Sequence, residues 1–336
     1  MAANKRLLVC FHDRCFDGAS SAAFFTRLYQ ARISPGAEVS YRGLVHRAGQ
    51  LFDEGMFSGD ENAIVDFKYS SSSRLTWWFD HHQSAFLSDA DAQHFQQDRS
   101  GRKFYNPEFR SCTKLIAHIA ATRFDFRPDD LEELVYWADV IDGAQYPDAK
   151  TAVEMKAPAM QITLAIEGID DRCFVPGLVP QLASRPLEEI AALPRIRSEF
   201  ERLFARHLKW MEIIRERGEL SNRVLFFDVA DQNQEGFNKF IPYYLFPEAI
   251  YSVAVSRSPE RIKIAVGSSP WNTAPNPANL ATICERFGGG GHAKVAAISL
   301  PPGDVEAAYQ DARIIVDELR ASVGGTLTNR APIPKV

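Results

Sequence analysis

Short apolar runs that end abruptly in polar residues recur along the first part of the chain. Residues Arg6–Phe11, Ala63–Phe67 and Leu75–Phe79 have the length and near-continuous hydrophobicity of strands buried on both faces of a sheet. The segment Ala19–Ala31, rich in alanine, phenylalanine and leucine, follows the first run and has the composition of a helix. We therefore predict an α/β fold whose N-terminal domain has a mostly parallel sheet flanked by helices.

Helical patterns fill the middle of the chain, and short strands return after Asn222. Helices are predicted at Arg110–Arg123, Pro128–Asp142, Thr151–Gly168, Leu187–Glu219 (interrupted near Pro194), Asn279–Phe287 and Val305–Ser322, with a proline-containing loop at Val175–Pro186. The later strands are predicted at Arg223–Val229, Ala249–Ser256, Arg261–Val266 and Ala293–Leu300. The predicted order is a first domain over residues 1–185, a helical linker over 186–220, a smaller α/β domain over 221–325 and a loose tail over 326–336.

Composition limits the classes of protein to which the chain can belong. Hydrophobic residues make up 46% and charged residues 24%, and the net charge of −5 excludes a generally basic surface for long duplex DNA. A local basic patch for a small anionic substrate is compatible with that charge. The five cysteines show no CxxC spacing, which favours a reducing compartment, and no apolar run reaches membrane-spanning length. We therefore expect a cytoplasmic protein without membrane contact, and a homodimer is compatible with the sequence.

Acids and imidazoles follow all three predicted N-terminal strands. The first strand is followed by His12, Cys15 and Asp17, the second carries Asp66 at its end, and the third is followed by Asp80-His81-His82. Each cluster alone has an ordinary explanation, since Asp17 and Asp66 can cap local turns and the triplet can be a polar loop. The carboxyl ends of parallel strands face one crevice, however, so the coincidence of three clusters favours a metal site.

Two later stretches add candidates. Asp139 lies near a helix end, where an acid opposes the helix dipole and suggests a functional reason, whereas Asp142 before Gly143 is explained as a turn residue. The tract Gly288–His292 has more glycine than a helix C-cap needs, although a cap remains the alternative. We favour anion binding by backbone amides, with His292 bonding a phosphate or carboxylate oxygen.

In this order and spacing, the motifs resemble those of the DHH/DHHA1 phosphoesterases over residues 6–300, nearly the whole chain. The family includes single-strand exonucleases, nanoRNases and cyclic-dinucleotide phosphodiesterases. The resemblance implies a two-domain enzyme with two Mn²⁺ ions about 3.5–4 Å apart that activate a water molecule. Mixed carboxylate and imidazole ligation suits Mn²⁺ and leaves Zn²⁺, Fe²⁺ and Co²⁺ open.

The resemblance also implies residue roles. The implied metal ligands are His12, Cys15, Asp17, Asp66, His81 and Asp139, with Asp66 as the bridge. Asp80 would orient a ligand and His82 would approach the substrate phosphate, while Gly289, Gly290, Gly291 and His292 of the second domain would hold the phosphate or 5′ end.

Three departures from the family pattern concern metal preference and substrate. Cys15 stands where many members have aspartate, and a thiolate there would be a softer ligand. The glycine tract is followed by Ala296-Ala297-Ile298 instead of Ala-Ala-Gly. An arginine usual before the final helix is missing, and Arg257 on the preceding strand is the candidate substitute.

The function expected from these observations is hydrolysis of phosphodiester or phosphomonoester bonds in short single-stranded oligonucleotides or small nucleotides. A cyclic-dinucleotide or polyphosphate hydrolase has the same motifs and is the enzymatic alternative. A weakly catalytic nucleotide-binding sensor is the alternative from another class, because Cys15 and the missing arginine are compatible with lost activity.

Overall fold

Strands interspersed with helices form the N-terminal part of the chain and helices fill its middle, as the sequence predicts. The computed structural model describes residues 4–46, 52–233 and 236–323, so the predicted tail at 326–336 lies outside the described residues. The strands are β1 (Arg6–His12), β2 (Glu38–Leu44), β3 (Glu61–Val65), β4 (Trp77–Asp80), β5 (Lys103–Tyr105), β6 (Glu219–Ser221), β7 (Val224–Asp228), β8 (Tyr251–Arg257), β9 (Ile262–Ser268), β10 (Gly290–His292) and β11 (Val295–Leu300). The helices are α1 (Phe16–Leu28), α2 (Asp89–Gln97), α3 (Cys112–Arg123), α4 (Glu132–Asp142), α5 (Ala149–Glu154), α6 (Pro158–Gly168), α7 (Phe174–Leu182), α8 (Leu187–Ala191), α9 (Pro194–Arg217), α10 (Ile241–Leu245), α11 (Leu280–Glu285) and α12 (Val305–Ser322).

These elements form two compact units. The first comprises Met1–Tyr146 and Met155–Leu203, and the second comprises Pro147–Glu154 and Phe204–Val336. Along the chain, the main division falls within α9, inside the stretch for which the sequence predicts a helical linker. No helix in the described ranges is long and apolar enough to cross a membrane.

The first unit is built on a five-stranded parallel sheet in the order β2-β1-β3-β4-β5. Alternate residues of β1 enter different cores: Leu7 and Val9 pack with α1 on one face, whereas Leu8 and Cys10 pack on the other. Burial on both faces explains the unbroken apolar sequence of the strand. The sheet therefore holds the ends of β1, β3 and β4 side by side.

The second unit contains a six-stranded mixed sheet in the order β10-β11-β9-β8-β7-β6. Only β7 and β8 are parallel, and the other neighbours are antiparallel. The core of this unit contains Val253 and Ile264 from the sheet and Ile315 and Leu319 from α12. The smaller C-terminal α/β domain expected from the sequence is therefore present, and the predicted fold class is confirmed.

Three local predictions differ from the structure. The predicted helix at Thr151–Gly168 is two helices, because Met155 has a left-handed backbone (φ 49°) and Pro158 starts α6. The loop predicted at Val175–Pro186 is wrong, since α7 occupies Phe174–Leu182 despite its prolines. The edge strands β2 and β5 have mixed polar sequences and were not predicted.

Gly18 in the first turn of α1 permits the close approach of this helix to β1. A Cβ atom at Gly18 would lie 2.1 Å from the carbonyl oxygen of His12. Replacing Gly18 with alanine should therefore destabilise the protein by about 1–3 kcal/mol, the usual cost of overpacking. Thermal and urea denaturation would measure this loss.

Gly177 provides the matched control within α7. A Cβ atom there would meet no atom within 4 Å, and the residue is exposed inside a helix. Gly177→Ala should stabilise the protein by about 0.5–1 kcal/mol through the higher helix propensity of alanine. Equal changes in the free energy of unfolding of Gly18→Ala and Gly177→Ala would contradict the packing argument.

Candidate metal centre

Three neighbouring strands bring their C-terminal ends to one edge of the first unit's sheet. β1 ends at His12, Asp66 directly follows β3, and β4 ends at Asp80 before His81 and His82. Because the order β1-β3-β4 is parallel, these residues converge instead of lying at opposite edges. The convergence expected from the sequence is found.

The converging side chains form two positions with different donor atoms. We call His12, Cys15 and Asp66 the thiol position, and Asp17, His81 and Asp142, together with Asp66, the carboxylate position. In the first, His12 Nδ1 lies 3.4 Å from Asp66 Oδ2. In the second, His81 Nε2 lies 3.4 Å from Asp66 Oδ1 and from Asp142 Oδ2, and 3.8 Å from Asp17 Oδ2.

Asp66 is shared by the two positions, and each of its oxygens faces a different one. Its side chain is only 1% exposed. Its backbone is left-handed (φ 55°), a conformation that aspartate and asparagine adopt more readily than most residues. The amide of Asp66 donates to the carbonyl of Phe79 on β4 at 2.9 Å, which fixes this turn. The turn therefore places the carboxylate between the two positions.

Asp17 is held by the start of a second helix. Its Oδ2 accepts a hydrogen bond from the amide of Cys112 at 2.7 Å, and its Oδ1 accepts from the amide of Thr113 at 3.0 Å. These are the first two residues of α3, where free amides and the helix dipole favour an anion. Asp17 thus joins α1 to α3 and presents Oδ2 to His81.

The two histidines of the triplet are oriented by different partners. His81 Nδ1 lies 3.0 Å from the carbonyl oxygen of Phe109, an acceptor that holds a proton on Nδ1, so the lone pair of Nε2 would be available to a cation that displaces the Nε2 proton. His82 Nδ1 lies 2.7 Å from Asp80 Oδ1, and the amides of both histidines donate to the same oxygen. The His82 ring is 36% exposed, against 9% for His81, so it lies at the open side of the centre.

The donor geometry fits cations better than hydrogen bonds. His12 Nδ1, both carboxylate oxygens of Asp66 and His81 Nε2 are buried without a hydrogen-bond partner among the described residues. Two ligands of one cation, each about 2.1 Å from it, lie roughly 3.0–3.4 Å apart, which is the spacing of these atoms. The residues present therefore fit a pair of divalent ions that share Asp66.

The pKa shifts of the clustered side chains also favour the binding of divalent ions. Burial lowers the pKa of His81, but contact with Asp66 and the charges of Asp17 and Asp142 outweigh it and raise that pKa to about 10. Burial and the nearby Asp66 charge raise the pKa of Asp142 to about 6. Without cations, this concentration of carboxylates therefore retains protons, and a divalent ion would displace them on binding.

Asp142 is the residue that sequence reasoning missed. It ends α4, whereas the predicted ligand Asp139 lies one turn earlier and accepts a hydrogen bond from Ser111 Oγ at 3.4 Å. A rise of about 4.5 Å along the helix axis separates the two, so the end residue reaches His81. None of the three ligand-type groups in the described ranges includes Asp139. Asp142, an acid at the unfavourable C-terminal end of a helix, carried the same sequence signal.

The glycine tract of the second unit has local structural reasons for three of its four glycines. Gly288 has φ +74° directly after the last turn of α11, as expected of a C-cap glycine. At Gly289 and Gly291, a Cβ atom would lie within 2.5 Å of the backbone of β11. Gly290 alone of the four has both open space for a Cβ atom and a backbone outside the left-handed region. The tract is thus a helix end followed by the closely paired strand β10, and anion binding by Gly289–His292 stays a prediction.

Arg257 is not brought to this tract. Through the register of β10, β11, β9 and β8, His292 lies level with Ser252, whereas Arg257 is five residues further along β8. That separation is roughly 17 Å along the strand alone. The register therefore places Arg257 away from His292, and its part in substrate binding stays a prediction.

The parallel sheet with its ordered acidic and histidine-bearing strand ends, followed by a mixed-sheet unit, is similar in fold to proteins of known structure. Among solved structures, the pGpG-specific phosphodiesterase PggH from Vibrio cholerae has a TM-score of 0.69 and 17% identity, over 95% of this chain and all of that one. RecJ of Thermus thermophilus, crystallised with Mn²⁺, has a TM-score of 0.50 and 15% identity, over 95% of this chain and 52% of its own. No protein-family model and no curated protein matches the sequence.

Proposed function

We propose that this chain is a metal-dependent phosphoesterase that cleaves phosphodiester or phosphomonoester bonds of short oligonucleotides or small nucleotides. The observation that carries the proposal is the pair of donor groups that share Asp66, with His82 beside them at the open side. Two divalent ions, when bound there, supply Lewis acidity that activates water and neutralises charge on a phosphoryl group. Mn²⁺ is the ion proposed for the carboxylate position, in keeping with the predominance of carboxylate donors there.

The chain's own residues would hold and orient the reactants. Asp66 would fix the spacing of the ions through its two oxygens, and Asp17 and His81 would be rigid ligands because backbone groups hold their second polar atoms. Asp80 would keep the Nδ1 proton on His82, so that His82 Nε2 faces a phosphoryl oxygen or the leaving group. Asp80 therefore acts by positioning His82.

The proposed substrate is a linear dinucleotide or a slightly longer single strand. PggH, whose fold is similar over its whole length, is described as specific for the linear dinucleotide pGpG. The net charge of −5 does not favour a long polyanion held by general electrostatics. We propose that the second unit, through His292 and Gly290, binds the terminal phosphate of such a substrate.

Product analysis on a panel of substrates tests this function. The purified chain with Mn²⁺ would be given a labelled linear dinucleotide, a hexanucleotide, a cyclic dinucleotide and inorganic polyphosphate, with chelator-treated protein as the control. We expect Mn²⁺-dependent release of mononucleotide, fastest from the dinucleotide. Activity confined to polyphosphate or the cyclic compound would overturn the substrate proposal. Nucleotide binding without any product would instead support a sensor.

A further inference from the structure

The two halves of the candidate centre differ in chemical softness. The thiol position offers one thiol, one imidazole and one oxygen of Asp66. The carboxylate position offers three carboxylates and one imidazole. Thiolate and imidazole donors select Zn²⁺ and other thiophilic ions, whereas oxygen-rich sets suit Mn²⁺ and Mg²⁺. The protein therefore does not present the same donor set to both ions.

Cys15 is placed to act as a ligand in the thiol position. It is the residue before α1, yet its side chain caps none of the helix amides. Its sulfur lies within 4.8 Å of a ligand atom of His12 and of one Asp66 oxygen. Neither Asp66 oxygen has a hydrogen-bond partner among the described residues. Three protein donors leave one position open in a tetrahedral set, as in catalytic zinc sites.

Charge balance supports ligation by the thiolate. With Cys15 ionised, the centre holds four negative charges, from Cys15, Asp17, Asp66 and Asp142, against the four positive charges of two divalent ions. A coordinating thiol loses its proton to the metal. A neutral thiol would leave one positive charge unbalanced in a largely buried site, which is costly.

From the unequal donors we propose that the centre is heterodinuclear. The thiol position holds Zn²⁺, or Fe²⁺ or Co²⁺ in its place, and the carboxylate position holds Mn²⁺. This proposal rests on the two-ion site proposed above and adds which ion each half selects. Cys15 is the residue that determines the difference, because it is the only soft donor in either position.

Metal content and spectroscopy test the proposal without recourse to activity. The full chain, stripped of metal, would be incubated with Zn²⁺ equimolar to the protein and with excess Mn²⁺. It would then be desalted, and its metal content would be measured by elemental analysis. Co²⁺ would replace Zn²⁺ in a parallel sample to report a thiolate-to-cobalt charge-transfer band. Cys15→Asp is the test variant. Cys173→Asp is its matched control, because Cys173 is exposed and also precedes a helix, α7.

We expect one zinc and one manganese per chain in the wild type and in Cys173→Asp, with the charge-transfer band in both. Cys15→Asp should lose the band, bind Zn²⁺ roughly 10–100-fold more weakly and take up two manganese ions whose electron paramagnetic resonance signals are coupled. Two manganese ions in the wild type, or a band that persists in Cys15→Asp, would overturn the proposal. A correctly loaded protein that hydrolyses nothing would refute the proposed function alone, and a wild type that binds no metal would refute both.

Discussion

Replacing Asp142 with asparagine should abolish binding of the ion at the carboxylate position and reduce hydrolysis by more than about 100-fold. Mutating a residue that only orients a metal ligand already lowers metal affinity or activity by about 10–100-fold, and Asp142 is itself a candidate ligand. The Oδ2 atom of Asp142 lies 3.4 Å from His81 Nε2, and its side chain is only 27% exposed. Asparagine keeps the size of the side chain but removes the charge that balances a divalent ion. Elemental analysis should show one divalent ion per chain where the wild type has two.

Asp139→Asn is the matched control, because it makes the same change one turn earlier on α4. The amide oxygen of asparagine can still accept the hydrogen bond from Ser111 Oγ, which is long at 3.4 Å, so the variant should lose at most about 1 kcal/mol of stability. Both metal ions and most of the activity should be retained. If Asp139→Asn loses the ion while Asp142→Asn keeps it, the sequence-based assignment of Asp139 is correct and the geometric one is wrong.

The central strands could be predicted from sequence, whereas the edge strands could not. β1, β3 and β4 are covered on both faces, and each contains a continuous apolar run, at Leu7–Phe11, Ala63–Val65 and Trp77–Phe79. β2 is an edge strand whose exposed and half-buried residues alternate, so no apolar run marks it. The two prolines of α7 predict a loop, although one of them lies in the first turn of the helix, where proline is tolerated.

Only some of the individual site residues can likewise be predicted from the sequence. Strand ends identified His12, Asp66 and His81 because parallel neighbours must converge. Candidate ligands on helices are harder to identify. Asp139 and Asp142 are both acids near the end of one helix, and only their positions around and along the helix axis decide which of them reaches His81. The sequence also cannot distinguish the glycines needed for close packing from those that are free of it, because contact with β11 depends on a strand pairing that the sequence does not show.

Asp66→Asn is expected to have the largest effect of any single substitution, because Asp66 belongs to both positions. Loss of its charge should remove both ions at micromolar metal and lower hydrolysis by about 10³-fold or more, given that removing one preorganised catalytic group costs 10²–10³-fold. Burial raises the pKa of Asp66, but contacts with His12 and His81 outweigh it and lower that pKa to about 2. The carboxylate is therefore charged at neutral pH, and asparagine cannot imitate it.

Asparagine is the appropriate replacement because it tolerates the left-handed backbone of this residue, so the turn after β3 is kept. Asp13→Asn is the control, since Asp13 lies in the neighbouring loop, outside the ligand groups of the described residues, and its Oδ1 accepts a local hydrogen bond from the amide of Arg14. Mn²⁺ at 100 times its Kd should stabilise the wild type and Asp13→Asn by about 2.7 kcal/mol for each ion bound, seen as a higher melting temperature. Asp66→Asn should fold, as its circular dichroism would show, but gain no stability from Mn²⁺. A metal-dependent stabilisation equal to that of the wild type would remove Asp66 from the centre, and with it the argument that one carboxylate joins the two ions.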